Sequence, residues 1–360
     1  MLRTLSPYNI ITPYVSPATG VQCLSYKLQI WLFNGALAGV PIGELPLYEI
    51  TKKNTGGSTG TDNVNISNII SDYIEQPLPV GSTIEFIDGN AMWWVYVRVI
   101  YTQPNSVAEP PAFLFSELYS RSYSYTMEGQ NVVTVPNDIL LNGREFKVSR
   151  SSVFLLPIYT PDNTVPTVTL DSFPSSEISL NPVSDPMLMQ RKSAEGSQYL
   201  WIDCSLAPTD QYITVDVGGQ EVVLLLTDEW KYEPIDIVFY NKYGHLQTLT
   251  FFKEFKKDLN VTNEQYKSSG GQPLAGKHQY VNFNSNGREG FKVQSGWQAE
   301  EMNDIFLQLL VSESVWSYSE GIYTPLTVES KALSFKTQKI DRLIQYEIYF
   351  KYAFDMINNI

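Results

Sequence analysis

Apolar and polar residues alternate along several segments of the chain, and this pattern predicts β-strands. Residues 26–33 place an apolar side chain at every second position, and residues 91–101 are rich in β-branched and aromatic side chains. Residues 343–354 alternate in the same way. Because successive side chains of a strand point to opposite faces, such alternation is typical of strands with one buried face. We therefore predict strands at all three segments, with 91–101 as a central strand and 343–354 as one long strand.

Two short glycine-containing turns each separate a pair of alternating segments and predict β-hairpins. Gly218–Gly219 lies between residues 212–217 and 221–226. The four residues Asn241–Gly244 lie between 235–240 and 246–252. Glycine readily adopts the positive φ angles that tight hairpin turns require, so both pairs are predicted to form antiparallel hairpins.

Two segments show the spacing of an amphipathic helix. In residues 65–75 and again in 297–312, apolar side chains recur at intervals of three and four residues. The apolar positions are Ile66, Ile69, Ile70, Tyr73 and Ile74 in the first segment and Met302, Ile305, Phe306, Leu309 and Leu310 in the second. Ser295 and Gln298 fit a capping box, which predicts that the second helix begins at this point.

Composition also favours a mainly β fold. Hydrophobic residues make up 43% of the 360 residues and aromatic residues 13%, whereas charged residues reach only 18%. The many Tyr, Thr, Val, Ile and Trp residues suit a pleated sheet. At about 100–200 residues per domain, the length predicts two or three domains. We therefore predict two or three β-sandwich-like domains with short amphipathic helices and extended arms.

Prolines and polar stretches indicate how these domains are arranged along the chain. Residues 1–20 contain three prolines and two tyrosines, and they predict an extended N-terminal arm that lies against a neighbouring surface. Residues 21–130 predict a β domain with one short helix, and residues 131–195 predict a β-rich segment punctuated by prolines. Residues 196–360 predict a C-terminal β domain with a helix at about 297–312.

Charge and cysteine content exclude several classes of protein. With 38 acidic and 25 basic residues, the net charge is −13. This charge argues against a protein that binds duplex DNA. An acidic surface would, however, repel the DNA phosphates and let DNA pass without binding. Cys23 and Cys204 allow one disulfide at most, and two free, buried thiols are favoured. The first residues lack the apolar run of a signal peptide. Every apolar run in the sequence is much shorter than the about 20 residues that a membrane-spanning helix requires. We therefore expect a protein made in the cytosol that does not follow the ordinary secretory route.

Sequence motifs give little support for catalysis or cofactor binding. The motif Gly56–Gly60 matches G-x-S-x-G, but it lacks the preceding strand and following helix of a nucleophile elbow. We predict instead a polar, glycine-rich loop over residues 51–63. His245 and His278 have no acid–base partners nearby in sequence, and a zinc site would need both of them together with both cysteines. We expect no enzyme activity, no cofactor and no metal.

Aromatic residues are the candidates for cores and subunit interfaces. Most tryptophans lie within predicted strands or the predicted helix, which favours a core or an interface over a sugar-stacking platform. The candidate core or interface positions are Trp31, Trp93, Trp94, Tyr96, Trp297, Phe306, Tyr346 and Phe350.

Two segments of the chain echo one another. Residues 142–148 read NGREFKV, and residues 286–293 read NGREGFKV with one residue inserted. In both segments we expect Asn-Gly to turn the chain before Arg-Glu. A duplication and a shared turn device both account for this similarity.

Four motifs in the C-terminal third occur in a characteristic order. They read IDIVFYNKYGHLQTLTFFK, NGREGFKVQSGW, IFLQLLVSESVW and LIQYEIYFKYAFDMINNI. Together they resemble the tail and neck structural proteins of phages that infect Bacteroidetes, notably the crAss-like podoviruses. The closing residues 331–360 are the most specific part. The first-half segments YKLQIWLFNG, NISNIISDYIE and WWVYVRV are also similar to that group, whereas residues 150–210 resemble it only loosely.

The resemblance implies a non-enzymatic structural component of a virion tail, which assembles as a ring or hub around the DNA channel. It implies copies of the same chain in a closed ring, other tail or neck proteins, and passing genomic DNA without sequence-specific binding as partners, and no membrane. The implied location is the virion tail, after synthesis in the host cytoplasm. The family brings no catalytic residues. The alternatives are a tail module that binds host glycans through solvent-facing aromatics, and a glycan hydrolase with two carboxylates about 5–10 Å apart.

Overall fold

The computed structural model is mainly β. It describes residues 2–4, 9–13, 24–33, 45–53, 61–66, 69, 73, 78–88, 92–102, 113–120, 139–160, 168–171, 178–179, 196–207, 212–228, 231–268, 276–330 and 343–355.

The described strands are numbered in chain order. The first twelve are β1 (Leu2–Thr4), β2 (Asn9–Pro13), β3 (Ser25–Phe33), β4 (Tyr48–Lys53), β5 (Thr61–Asn65), β6 (Ile84–Asp88), β7 (Met92–Thr102), β8 (Phe113–Ser120), β9 (Glu145–Ser149), β10 (Val153–Thr160), β11 (Val168–Asp171) and β12 (Ile178–Ser179). The others are β13 (Gly196–Asp203), β14 (Tyr212–Val217), β15 (Gln220–Thr227), β16 (Ile235–Tyr240), β17 (Leu246–Phe251), β18 (Lys256–Lys267), β19 (Tyr280–Gln294), β20 (Gln298–Ala299), β21 (Val315–Ser319), β22 (Ile322–Val328), β23 (Leu343–Ile344) and β24 (Glu347–Tyr352). The helix α1 spans Asn303–Val311, and 3₁₀ turns span Cys204–Leu206 and Glu300–Met302.

These strands form two groups of sheets. The first group contains the five-stranded sheet β1-β8-β7-β3-β4 and the pair β2-β5. The second contains the four-stranded sheets β10-β13-β6-β12 and β11-β14-β15-β9, the seven-stranded sheet β17-β16-β21-β22-β24-β19-β18, and the pair β20-β23. We call the second group, together with α1, the body; it comprises β6 and the described residues from 139 to 355.

Each group of sheets has its own hydrophobic core. In the first group, side chains from β3 and β7 pack with Val64 and Ile66. In the body, one continuous core joins all three larger sheets and α1, and it includes Phe154, Phe239 and Phe350. The inward faces of these strands are therefore buried by partners from distant parts of the sequence.

The predicted domain boundaries at residues 130 and 195 do not separate these cores. Strand β6 lies within the predicted 21–130 domain, yet it pairs with β13 in the body. Strands β9 and β10 come from the predicted 131–195 segment, and they pair with β15 and β13. The physical reason is that β10 and β13 are apolar on both faces, as Leu155, Leu156 and Trp201 illustrate. Such strands need sheet neighbours and packing layers on each side.

Described parts of the predicted N-terminal arm and polar loop belong to paired strands. Strand β1 pairs with β8 and strand β2 with β5, so the described part of residues 1–20 pairs with this chain's own strands. Pairing satisfies backbone groups that an arm would leave to solvent. Within the predicted loop 51–63, residues at both ends belong to β4 and β5. The motif Gly56–Gly60 lies outside the described residues.

The two predicted helices have different outcomes. Asn65 ends strand β5 and Ile69 is helical, but most of the predicted 65–75 helix lies outside the described residues. The second helix is present as α1, which is shorter than the predicted 297–312 because a 3₁₀ turn precedes it. The predicted capping box is wrong. Ser295 Oγ accepts the Tyr346 N–H at 2.9 Å, while Gln298 Nε2 donates to the Ser295 carbonyl at 3.0 Å.

Local turn chemistry predicted both hairpins correctly. Strands β14 and β15 flank Gly218 and Gly219, whose φ angles are 59° and 84°. Strands β16 and β17 flank the turn that ends at Gly244, with φ 76°. The predicted long strand 343–354 is instead divided into β23 and β24.

The echoed segments occupy different structures. Asn142–Gly143 forms a turn before β9, with Gly143 at φ 85°. Residues 286–293 lie wholly within β19, so the expected second Asn-Gly turn is absent. Both segments contain a phenylalanine that is buried in the body core, Phe146 in the first segment and Phe291 in the second.

Candidate functional site

The aromatic residues selected from the sequence do not form one site. Five of them are buried: Trp31, Tyr96, Phe306, Tyr346 and Phe350. Trp31 and Tyr96 pair across β3 and β7, whereas the other three belong to the body core. Trp93 and Trp94 lie in β7, but their side chains are not among those that the structure describes. Trp297 is 57% exposed and therefore lies outside this chain's own core.

His245 belongs to a buried polar turn rather than to an acid–base pair. Its Nδ1 lies 3.0 Å from the Tyr243 carbonyl oxygen, and burial lowers the pKa of the ring to about 4. Asn241 organises the turn because its Oδ1 accepts the N–H groups of Tyr243 and His245, and its Nδ2 donates to the Leu140 carbonyl at 2.8 Å. The buried imidazole contacts the backbone within the β16–β17 turn, and Asn241 links that turn to Leu140. His278 is exposed.

Asp236 is a buried carboxyl whose pKa burial also perturbs strongly. Ser152 Oγ and Thr250 Oγ1 donate to its Oδ1 at 2.7 and 2.6 Å. Burial nevertheless raises its pKa to about 6, since the charged carboxylate loses its hydration and these hydrogen bonds offset only part of that loss. Burial, and then the neighbouring Asp236, raise the pKa of the Cys204 thiol. The buried thiol and carboxyl lie between packed strands, and Cys23 lies outside the described residues.

Two surface depressions of the body are small. One of about 150 Å³ is lined by Arg144, Lys147 and Glu301 beside Gln298. The other, of about 170 Å³, is lined by both polar and aromatic side chains, among them Lys257 and Phe255. Both are smaller than the about 300–1,000 Å³ of typical small-molecule sites. Among the described residues, no group of three or more His, Cys, Asp and Glu side chains could hold a metal ion.

The most distinctive surface feature is a long two-stranded ribbon formed by β18 and β19. Strand β18 lies at the edge of the seven-stranded sheet, and all twelve of its residues are exposed. At about 3.3 Å per residue, β18 extends about 40 Å. The inner neighbour β24 pairs only with Gly290–Gln294 of β19. The outer half of the ribbon therefore has no third strand among the described residues.

The base of this ribbon is fixed to the body by specific contacts. The Tyr349 hydroxyl donates to the Asp258 carboxylate at about 2.9 Å and accepts from Asn260 Nδ2 at 2.9 Å. Gly290 leaves the space that the Tyr349 ring occupies, because a Cβ there would lie 2.5 Å from its hydroxyl oxygen. Arg288 Nε donates to the Tyr352 carbonyl at 2.6 Å. These contacts define the direction in which the ribbon leaves the body.

The outer half of the ribbon carries aromatic residues on both faces. The pairing shifts between Thr262 and Glu264, and Asn284 adopts a positive φ of 51° at this bulge. Beyond it, the Tyr266 and Phe283 rings lie 5.8 Å apart and are 52% and 45% exposed. Tyr280 lies on the opposite face and is 59% exposed, with Lys267 Nζ 6.0 Å from its ring centroid. Exposed apolar groups concentrated in this way are typical of interaction surfaces.

The sequence analysis did not identify this ribbon. Its signal was the pair of apolar residues Leu259 and Val261 at alternate positions, together with a glycine-containing connection before Tyr280. The alternation is weak because polar residues occupy both faces. Only the structure shows that the two strands pair far beyond their sheet.

Comparisons with known protein families, curated proteins and solved structures find no match for this chain. In the described part of the chain, no helix is long and apolar enough to span a membrane. The ribbon is the candidate functional site, because its outer half concentrates the exposed aromatic side chains of Tyr266, Tyr280 and Phe283.

Proposed function

We propose that this protein is a structural subunit of a bacteriophage tail that assembles as a ring or hub around the DNA channel. The observation that carries the proposal is the β18–β19 ribbon. A subunit that builds a symmetric assembly needs a surface that reaches a neighbour, and the ribbon extends beyond its own sheet with aromatic residues at its outer half. Such residues are enriched at protein–protein interfaces.

The sequence supports the same proposal in two further ways. The ordered motifs in the C-terminal third resemble tail and neck proteins of crAss-like phages. The net charge of −13 suits a wall past which DNA moves, because acidic groups repel the phosphates. The proposed partners are further copies of this chain, other tail or neck proteins, and passing DNA without sequence-specific contacts. The proposed location is the virion tail.

The direct test is the oligomeric state of the purified protein over a concentration series. Mass photometry covers the nanomolar range, and light scattering after size exclusion covers the micromolar range. We expect a discrete ring-sized species, or a monomer that assembles only when other tail proteins are added. A persistent monomer that binds host polysaccharide and never enters tail particles contradicts the proposal.

A second candidate function is recognition of host glycans, and the exposure of Trp297 favours it. Trp297 precedes Gln298, which lines the 150 Å³ depression. The backbone carbonyl of Trp297 accepts a 2.7 Å hydrogen bond from Lys147 Nζ. An exposed indole beside polar groups can stack on a sugar ring. If this function is correct, Trp297→Ala abolishes polysaccharide binding, while Tyr212→Ala, at another exposed aromatic of the body, does not.

A further inference from the structure

We propose that the outer half of the β18–β19 ribbon docks on the body of a second copy of this chain, so that copies associate head to tail. This inference rests on the proposed function and specifies its interface. The ribbon remains β18 and β19 with the described residues 268 and 276–279 between them, and its outer half means the described residues beyond the bulge at Asn284.

The first argument is the exposure of the ribbon. A two-stranded hairpin is only marginally stable in water without further strands or a packed face. The outer half of this ribbon has neither among the described residues, and it leaves Tyr266, Tyr280 and Phe283 about half exposed. Contact with another protein surface would supply the missing layer.

The second argument is the distribution of charge. Residues 256–294 contain six Lys or Arg and three Asp or Glu, a formal charge of +3. Because the whole chain carries −13, the remaining 321 residues carry −16. The outer half itself contributes Lys267, Lys277 and Glu264, a formal charge of +1, so the ribbon is a basic segment of an acidic protein. Its complementary partner is an acidic surface, and the rest of a second copy provides one.

The same charges distinguish between two kinds of self-association. In a two-fold contact of ribbon with ribbon, basic Lys267 and Lys277 of both copies would approach one another. Like charges brought together in an interface disfavour that arrangement. In a head-to-tail contact, the basic ribbon of one copy meets the acidic body of the next. Head-to-tail contacts are also the kind that close into rings when the rotation between copies permits.

The decisive experiment mixes two forms of the full chain. In the trimmed variant, residues 263–285 are replaced by Asn-Gly, which restores a tight turn after Thr262 and spares the body. Unchanged circular dichroism shows that the trimmed protein folds. Native mass spectrometry separates the lighter trimmed copies from intact ones.

We expect trimmed chains alone to remain monomeric and intact chains alone to assemble. In the mixture, trimmed copies retain the acidic body, so they should join intact copies and terminate growth after a single trimmed subunit. A ribbon-to-ribbon contact predicts instead that trimmed copies join nothing. That second result would overturn the head-to-tail arrangement.

Two substitution sets keep the backbone of the ribbon intact. Lys267→Glu with Lys277→Glu should weaken self-association at least tenfold, and raising NaCl from 0.1 to 1 M should weaken the unmodified protein similarly. The matched control, Lys52→Glu with Lys53→Glu on strand β4, changes the net charge equally and should leave assembly unchanged. Tyr266→Ser with Phe283→Ser should also weaken assembly without lowering the melting temperature.

The outcomes separate this inference from the proposed function. If trimmed chains assemble as intact chains do, the ribbon is not the interface. The observed assembly would still support the tail function. If intact chains stay monomeric at 100 µM yet enter tail particles, self-docking is wrong and the tail function stands. Ribbon-dependent binding of a 30-base-pair duplex by a monomeric chain also overturns self-docking. A monomer that only binds polysaccharide overturns both.

Discussion

Replacing Asp236 by asparagine should make the protein lose stability on mild acidification, whereas replacing His245 by glutamine should make it gain stability. The two buried groups respond to pH in opposite directions. The Asp236 pKa is about 6 in the folded protein against an ordinary value of 3.8. The His245 pKa is about 4 against an ordinary value of 6.5. In the unmodified protein, the two effects therefore oppose each other over the same pH range.

The sign follows from which state binds the proton first. As the pH falls from 6 toward 4, folded Asp236 takes up a proton before the unfolded chain does, so its contribution raises stability. As the pH falls from 6.5 toward 4, the unfolded chain protonates His245 first, so that contribution lowers stability. Each tenfold difference in proton affinity between the folded and unfolded states corresponds to about 1.4 kcal/mol. Each of the two groups therefore changes the free energy of unfolding by about 3 kcal/mol over this pH range.

The assay is urea unfolding followed by tryptophan fluorescence at intervals between pH 4 and 7.5. The free energy of unfolding of each variant is subtracted from that of the unmodified protein, so groups common to both cancel. Between pH 7 and pH 4, Asp236→Asn should lose about 2–3 kcal/mol relative to the unmodified protein, and His245→Gln should gain as much. Asp228→Asn is the control, because its exposed carboxylate has a pKa lowered by Arg150 and titrates below this range. Profiles of both buried-site variants parallel to that of the unmodified protein would refute the reasoning.

Three further predictions concern packing. Gly290→Ala places a Cβ 2.5 Å from the Tyr349 hydroxyl oxygen and should destabilise the protein by about 1–3 kcal/mol in urea titrations; an unchanged midpoint would contradict this. Leu309→Ala in the body core should cost about 2–5 kcal/mol, whereas Val311→Ala on the exposed side of α1 should stay within about 0.5 kcal/mol. Cys204 should resist thiol reagents until urea unfolds the protein; rapid labelling of Cys204 in the native state, located by peptide mapping, would show that it is not buried.

Residues whose structure is determined by near neighbours were predictable from the sequence. Gly218–Gly219 specifies its hairpin because a two-residue turn needs positive φ angles at both positions. The spacing around Phe306 and Leu309 indicated the short helix α1 in the same way. Tyr96, Phe306 and Phe350, which the sequence marked as core or interface positions, are buried within elements that their spacing indicated.

Features that depend on distant partners were not predictable. Nothing near Ile84 indicates that β6 pairs with β13, more than a hundred residues away. Ser295 and Gln298 match a capping motif, but the hydroxyl of Ser295 accepts a hydrogen bond from Tyr346 on another element. The ribbon was not predicted because the number of residues over which β18 and β19 pair depends on the sequences of both strands. The candidate site thus became visible only through long-range register.

The position of β24 makes the ribbon dependent on the order of synthesis. This strand is the last one described in the sequence, yet it lies inside the sheet between β22 and β19. A ribosome must therefore translate past Tyr352 before the contacts of Tyr349 with Asp258 and Asn260 can form. Until then β18 and β19 have no anchored base. The direction of the ribbon relative to its sheet is therefore fixed only after β24 has paired with β19.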